Sequence, residues 1–382
     1  MSLATFRHSL RPLCRLALYQ QRSPMSVDHH ASSSMQAPST ALSSTDSSAA
    51  AVSGDAQQAH RLAIFNEEFE RQLKRSKRSI DKIEVVYTGP DGQSHSLFLN
   101  KGVSTPLDAA KHLSEELSSE SVLAIVNGST AWDMHRPLNT SCSLAFLNFK
   151  TPGSKEEADG IKLCNTALWR SGSLLIGSVF ETAFKEAYNV KLISFPIPYI
   201  KSGSFVYDCQ VSRAGSGEPL TWSPSRSELR GLSLAAERLM AADHAFQPMD
   251  APGPVVMEMF KHNEAKQAAI RSILQSKPDQ ILTVYRVGNF VDLSSGPMIS
   301  RTGLIGRFAF AAVHQIDAPD FGQLMRVQGF AVPRAFLTHF SSVELLEQRA
   351  AVLNRAFLPT KPGTPRRPQQ QQKDRAAQHA EV

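Results

Sequence analysis

The chain has 382 residues, a length that allows two or three domains. With 42% hydrophobic and 20% charged residues it has the composition of a folded soluble protein, and no apolar run approaches the roughly 18 residues needed to cross a membrane. The formal net charge of +6 is compatible with a polyanionic partner but does not require one.

The first segment, MSLATFRHSLRPLCRLALYQQRSP, is rich in arginine and has no acidic residue before Asp28. Arg7, Arg11 and Arg15 recur at helical spacing with leucines between them, so a helix here would carry a basic stripe beside an apolar stripe. This pattern is typical of a mitochondrial transit peptide, which we predict for residues 1–27. The alternative is a disordered basic tail.

Two low-complexity segments are predicted to be disordered. Residues 28–60 contain no lysine or arginine and are dominated by serine and alanine, while residues 359–382 combine proline with a glutamine run. Neither segment can bury enough apolar surface to offset the entropy lost on ordering. We therefore interpret the first as a linker and the second as a tail.

Between the linker and the first domain, residues 61–80 are predicted to form a helix with a basic end. Its apolar face comprises Leu62, Phe65, Phe69 and Leu73. Its basic cluster comprises Arg71, Lys74, Arg75, Lys77 and Arg78. We predict that this cluster, together with Arg366 and Arg367 in the tail, contacts RNA phosphates. The alternative is a solvated helix end whose cations favour the helix dipole.

The segment 81–151 has the pattern of a small α+β domain. KIEVVYTGPDGQSHSLFLN predicts a hairpin, and VSTPLDAAKHLSEEL predicts a helix with Thr105 as its cap and Pro106 at its first position. VLAIVNG and SLAFLNF predict two more strands. This order, together with GPDG, VSTPLDAA and VNGSTAWD, resembles the TGS domain of threonyl-tRNA synthetases. The resemblance implies a ubiquitin-like β-grasp fold and a binding module without catalytic residues.

The segment 160–342 predicts a larger α+β domain with three helices between strands, followed by a final helix over residues 343–358. Its pieces FVYD, FKHNEAK, YRVGNFVDLSSGPMISRTG and QGFAVP resemble the editing domain that follows TGS in threonyl-tRNA synthetases and is shared with alanyl-type enzymes. The synthetase resemblance also implies that an aminoacylation core would begin near residue 343. We expect the chain to have no room for that core.

The editing resemblance implies a hydrolytic site built from two helical histidines, a cysteine and a third histidine. Those four positions correspond here to Trp169, Ser173, Ser294 and Met298. Tryptophan and methionine supply neither a metal-binding nitrogen nor a base, and a serine hydroxyl is a poor substitute for either. Three other family pocket positions are retained as Tyr207, Lys266 and Asp292. We therefore expect a degenerate site with no catalytic residue, metal, cofactor or small-molecule substrate.

The four cysteines, Cys14, Cys142, Cys164 and Cys209, form no C-x-x-C pair and have no histidine at metal-ligand spacing. We predict that they are buried free thiols in a reducing compartment.

Taken together, these features resemble a synthetase-derived protein family of the mitochondrial large ribosomal subunit. The resemblance implies a catalytically inactive structural component of the mitochondrial matrix whose partners are ribosomal proteins and rRNA. Two alternatives remain at this point. One is a stand-alone RNA- or tRNA-binding protein, and the other is a residual tRNA-editing deacylase that uses Lys266 and Asp292.

Overall fold

The computed structural model describes residues 54–79, 81–89, 92–150, 155–185, 187–355 and 357–359. The first of these ranges begins with a helix. This helix, α1, spans Gly54–Ser76. It begins before the predicted start at residue 61, because Asp55 favours a helix N-terminus and the alanines and glutamines that follow are good helix formers. Residues 54–60 were therefore wrongly included in the disordered linker.

Several predictions concern residues outside these ranges. They are the transit peptide over residues 1–27, the linker up to residue 53, Cys14, and most of the tail with Arg366 and Arg367.

The first domain is the β-grasp that the sequence predicts. Thr105 caps a helix with Pro106 at its first position, and a reciprocal pair with Asp108 completes a capping box. The sheet has the order β2-β1-β5-β3-β4, with β1 and β5 parallel. The elements are β1 Lys82–Thr88, β2 Ser94–Asn100, α2 Pro106–Leu113, α3 Glu115–Glu120, β3 Leu123–Val126, β4 Thr130–Trp132 and β5 Cys142–Leu147.

Two details of this domain differ from the prediction. The predicted single helix breaks at Ser114, because its side chain accepts a hydrogen bond from the Leu117 amide at 3.1 Å and starts α3. The segment between β3 and β5 also contains the short strand β4, which pairs with β3. Three residues are too few for a pattern of alternation to reveal.

The second domain places helices against two antiparallel sheets, which confirms the predicted α+β class. The sheets have the orders β10-β9-β8 and β11-β12-β7-β6. The elements are α4 Lys155–Glu181, β6 Tyr188–Ser194, β7 Phe205–Arg213, α5 Arg226–Ala241, β8 Gln247–Pro252, α6 Gly253–Met259, α7 Glu264–Ser276, β9 Ile281–Val287, β10 Phe290–Leu293, β11 Ile305–Ala318, β12 Gly322–Pro333 and α8 Phe340–Ala351.

Boundaries in this domain depart from the prediction at three places. Helix α4 begins at Lys155, before the predicted domain start at residue 160. The predicted third helix is two helices, α6 and α7, because Asn263 accepts a hydrogen bond from the Lys266 amide at 3.1 Å and caps α7. The last helix spans Phe340–Ala351 instead of residues 343–358, because the Gln328 amide binds the carbonyls of Ala350 and Val352 at 2.7 and 2.8 Å. Pro359, which was included in the tail, is buried.

Helix α1 packs on the second domain although the first domain follows it in the sequence. Its Phe65 is fully buried in a core cluster with Met249, Val256 and Val291. Its own Phe69 stacks on Phe65 with ring centroids 6.1 Å apart. The β-grasp domain is therefore an insertion, in sequence, between two parts of one hydrophobic core.

A buried ion pair fixes the segment after α8. The Arg326 guanidinium is fully buried and binds both carboxylate oxygens of Asp208 at 2.8 and 2.7 Å. It also donates to the carbonyls of Asn354 and Phe357. Burial raises the pKa of Asp208, and the hydrogen bonds and charge of Arg326 oppose that rise. Asp208, part of the FVYD segment, thus anchors the C-terminal part of the described chain.

The three described cysteines are buried and free, as predicted. Burial raises the pKa of the Cys164 thiol to about 12, so this thiol stays protonated and unreactive near neutral pH. Among the described residues, no helix is long and apolar enough to span a membrane, and no group of His, Cys, Asp and Glu side chains is arranged to hold a metal ion.

Candidate functional site

Helix α4 carries the degenerate positions Trp169 and Ser173, and residues 294–303 carry Ser294 and Met298. We name residues 294–303 the corner. Helix α4 and the corner lie against each other. The Arg170 guanidinium donates to the Pro297 carbonyl at 2.9 Å. The Ser171 hydroxyl accepts a hydrogen bond from the Ile299 amide at 3.1 Å. The structure therefore brings together the two elements that the editing resemblance identified, but it joins them through backbone contacts.

The side chains at the four degenerate positions serve packing or local hydrogen bonding. Met298 is fully buried in the main core, and Trp169 packs edge-on against Phe205 with centroids 5.8 Å apart. Ser173 is buried on α4. The Ser294 hydroxyl accepts a hydrogen bond from the Gly296 amide at 3.2 Å, which tightens the turn. None of these groups is a histidine, cysteine or carboxylate, so this surface offers no strong base or thiolate nucleophile.

The three retained polar residues form one buried network. The Lys266 ammonium donates to Asp292 Oδ1 at 2.7 Å and to the Tyr207 hydroxyl at 2.9 Å. Tyr207 in turn donates a short hydrogen bond to Asp292 Oδ2. The side chains of Lys266 and Asp292 are 5% and 1% exposed. Their polar atoms are thus committed to one another and are inaccessible to a substrate.

Two residues that the sequence did not single out complete this network. Arg61 on α1 donates to Glu181 on α4 at 2.5 Å, and both side chains are buried. The Arg61 guanidinium also lies 5.8 Å from the ring centroids of Phe260 and Phe290. We name these five residues, Arg61, Glu181, Tyr207, Lys266 and Asp292, the buried cluster. Helix α1 therefore closes over the retained pocket residues and supplies one of their charges.

The buried cluster is electrically balanced, with two cations facing two carboxylates. Burial, followed by the charge of Asp292, raises the pKa of Tyr207 well above its usual value, so the phenol stays protonated. Burial also raises the pKa of Glu181, while the charge of Arg61 acts against it. A base in this setting would have to break its ion pair before it could accept a proton.

Helix α4 packs so closely against the two sheets at Gly177 that no side chain fits between them beside the buried cluster. A Cβ atom at Gly177 would lie 2.7 Å from the Tyr207 ring and 3.2 Å from the Phe290 ring. Only the missing side chain of glycine allows this approach. Helix α4 is consequently in direct contact with side chains of both sheets where the editing resemblance implies a pocket.

One buried carboxylate of the β-grasp domain, that of Asp133, contacts both the corner and β9. Asp133 is 3% exposed. Its Oδ1 accepts a hydrogen bond from the Met298 amide at 2.8 Å, and its Oδ2 accepts from the Tyr285 hydroxyl at 2.8 Å and from Arg136 Nε at 3.1 Å. Burial, with the charge of Asp133 acting in the same direction, raises the pKa of Tyr285 well above its usual value. We name this set of contacts the Asp133 clamp.

Further contacts extend the clamp on both sides. The Ser300 hydroxyl donates to the Ser121 carbonyl at 2.7 Å, and Arg301 donates to the Ser119 carbonyl at 2.8 Å. The His135 ring lies 2.9 Å from the Ser300 carbonyl. Arg136 reaches Asp250 at 2.5 Å. Burial acts to lower the pKa of Arg136. Asp133, Tyr285 and Asp250 together outweigh this effect, so the pKa is raised above its usual value.

The bend of the corner depends on Gly296. Its φ of +64° is in the left-handed region, and a Cβ atom there would lie 1.7 Å from the Tyr285 hydroxyl. The same hydroxyl donates to Asp133, so the bend and the clamp share one atom. The bend at Gly296–Pro297 thus allows the chain to pass close beneath the β-grasp domain.

The predicted RNA-binding residues fall into three groups. Arg71 is bound to the buried Glu68 at 2.8 Å through two nitrogens. Lys74, Arg75, Lys77 and Arg78 are exposed and form no ion pair with another described residue. Arg366 and Arg367 lie outside the described ranges. Four of the five described cations of this helix end therefore have no carboxylate partner among the described residues, and the fifth, Arg71, is exposed but paired.

Some sequence signal existed for the residues that were missed. Arg61 precedes Phe65 by one helical turn, so it lies on the apolar face of α1, where an arginine needs a buried partner. Asp133 lies within the VNGSTAWD segment, between two strands. Its partners on the corner are far away in the sequence, and no local pattern connects them.

Comparison with known proteins gives matches to two kinds of protein. The TGS domain family matches residues 84–147. The large ribosomal subunit protein mL39 of Drosophila melanogaster is 37% identical over 306 residues, which cover 80% of this chain and 87% of that protein.

Threonine–tRNA ligases match at lower identity. The probable cytoplasmic threonine–tRNA ligase 1 of Dictyostelium discoideum is 26% identical over 68% of this chain, and the human cytoplasmic threonine–tRNA ligase 2 is 27% identical over 60%. The chain spans only 32% and 25% of the lengths of these two ligases.

Replacing Asp133 by alanine should destabilise the protein strongly. The change leaves the Met298 amide and the Tyr285 hydroxyl buried without their acceptor, which costs roughly 2–4 kcal/mol. Urea unfolding should show a large fall in the transition midpoint, or separate transitions for the two domains. The matched control is Asp250→Ala, which removes a half-exposed partner of Arg136 and should cost less than about 1 kcal/mol. Equal costs for the two variants would contradict the clamp.

Acid should weaken the interface through His135. Burial, more than any other influence, lowers the pKa of this imidazole below its usual value near 6.5. As the pH falls through about 6.5 the unfolded chain takes up a proton and the folded chain does not, so stability is lost on acidification. The His135→Gln variant cannot titrate. The difference in unfolding free energy, wild type minus variant, should therefore decrease from pH 7.5 to pH 5, measured by urea unfolding. A constant or increasing difference would contradict this.

Proposed function

The chain belongs to the family of the large ribosomal subunit protein mL39, and from this premise we propose that it is a structural component of the large subunit of the mitochondrial ribosome. The arginine-rich, acid-free N-terminal segment supports a mitochondrial location. The observation that carries the structural role is the Asp133 clamp, because it uses the corner that the editing resemblance assigns to chemistry as an interface between domains.

We propose further that the chain is not an enzyme. In the region that corresponds to an editing site, Trp169 and Met298 fill space with apolar atoms, and Lys266 and Asp292 bind each other in a buried pair. General acid–base catalysis requires a group that is within reach of the substrate and free to exchange protons. The residues of the buried cluster meet neither condition, so this geometry does not favour the deacylase alternative.

The proposed partners are ribosomal proteins and rRNA of the large subunit. For rRNA, the exposed residues Lys74, Arg75, Lys77 and Arg78 supply cations that neutralise phosphates without reading sequence. Arg71 contributes less, since its guanidinium is held by Glu68. Arg366 and Arg367 remain predicted contacts. A stand-alone RNA-binding protein would use the same cations but would not sediment with the large subunit.

Charge reversal at the basic helix end should weaken incorporation into the large subunit. Tagged wild-type protein and a Lys77→Glu/Arg78→Glu variant would be expressed in mitochondria depleted of the natural protein and separated on sucrose gradients at increasing salt. The wild type should stay with the large subunit, and the variant should dissociate at lower salt because it makes fewer phosphate contacts.

The matched control is Arg226→Glu/Arg230→Glu, which changes the same charge on exposed residues of α5 and should behave as the wild type. If the wild type itself migrates apart from the large subunit, the proposed function is wrong. If both variants sediment as the wild type does, the role of the basic helix end is wrong.

A further inference from the structure

A cavity of about 570 Å³ lies between the β-grasp domain and the second domain, beside the Asp133 clamp. Ser119, Asn148 and Lys150 line it from the first domain, and Arg301, Arg334 and Phe336 line it from the second. Its volume is in the range of small-ligand pockets, roughly 300–1,000 Å³. Neither the buried cluster nor the basic helix end includes these residues.

The lining of this cavity holds charges of both signs, with one cation that has no carboxylate partner among the described residues. It contains three basic side chains, Lys150, Arg301 and Arg334, and one carboxylate, Glu120. Lys150 bridges Glu116 and Glu120, and Arg301 is oriented by Asp243 and the Ser119 carbonyl. Arg334 is exposed and forms no ion pair with any described residue. The Arg334 guanidinium is thus available to an external anion, whereas the charges of Lys150 and Arg301 are already balanced by carboxylates.

The wall of the cavity carries one exposed ring, Phe336, on the segment between β12 and α8, and a second exposed ring, Phe340, begins α8. Phe336 lines the cavity and is 40% exposed, and Phe340 is 74% exposed. Large aromatic side chains are normally buried in a folded protein, so an exposed ring that lines a cavity beside an unpaired arginine is open to contact with a partner. Aromatic rings beside arginines are the arrangement that binds unpaired bases and their phosphates.

We propose that this cavity binds one nucleotide of single-stranded RNA, with a phosphate at Arg334 and the base stacked on Phe336. A guanidinium pairs with phosphate oxygens through two parallel N–H bonds, and every base offers a flat face to a ring. A double helix does not fit this role, because its bases are already stacked and paired. The inference rests on the proposed function, since the large subunit supplies the RNA.

The test measures binding of the purified full chain to a fluorescein-labelled 12-nucleotide oligouridine by anisotropy over a series of salt concentrations. Arg334→Ala removes one phosphate contact and should reduce the slope of log affinity against log salt by about 0.7. Phe336→Ala removes the stacking ring and should weaken binding at least about fivefold while leaving the slope unchanged. Both residues are exposed, so neither change removes a core contact.

The matched control is Arg271→Ala, an exposed arginine on α7, which packs on α6 and β6 away from the cavity. It should keep the wild-type slope and affinity, and the basic helix end contributes equally in all variants. The proposal is overturned if Arg334→Ala and Phe336→Ala bind as Arg271→Ala does, or if the cavity variants weaken duplex RNA equally. The proposal is also overturned if Arg334→Ala and Phe336→Ala bind the oligouridine as the wild type does but lose binding to a labelled acidic, leucine-rich peptide. That result would identify a protein partner.

Gradient sedimentation of the same variants separates this inference from the proposed function. Wild-type protein that stays with the large subunit but shows no cavity-dependent RNA binding overturns the inference alone. In the opposite case the wild-type protein does not sediment with the large subunit, but the cavity variants still change the salt slope and the affinity for the oligouridine. That result overturns the proposed function and supports the nucleotide site.

Discussion

The carboxylate of Asp133 is the interaction on which the arrangement of the two domains depends. It is buried at the domain boundary and accepts hydrogen bonds from the Met298 amide, the Tyr285 hydroxyl and Arg136. A buried carboxylate is stable only when such donors replace water, so the corner must hold one conformation for Asp133 to be satisfied. Gly296 provides that conformation, because any side chain there would displace Tyr285.

The buried cluster shows how polar residues of an editing-like pocket can persist without chemistry. Lys266 and Asp292 pair with each other, and Arg61 from α1 pairs with Glu181 close by. Removing any one charge would leave its partner buried and uncompensated, at a cost of roughly 3–5 kcal/mol. Retention of these residues is therefore expected for stability alone. The same packing buries the side chains of Lys266 and Asp292, which agrees with the structural role proposed above.

Local sequence signals predicted much of the fold but little of the site. The Thr105 cap and the alternating strands of the β-grasp domain rest on contacts within a few residues, so they are readable from the sequence. The identity of Trp169 and Met298 likewise predicted a degenerate site. The Arg61–Glu181 pair and the Asp133–Met298 contact each join residues more than a hundred positions apart. No local sequence pattern reveals such pairs.

Native-state hydrogen exchange at the corner tests the central claim most directly. If the corner is a closed domain interface, the amides of Met298 and Ile299, bound to Asp133 and to the Ser171 hydroxyl, should exchange as slowly as those in the middle of β12. Exchange at the rate of an exposed loop, with β12 still protected, would mean that the corner is open to solvent like a working active site. That result would contradict the account.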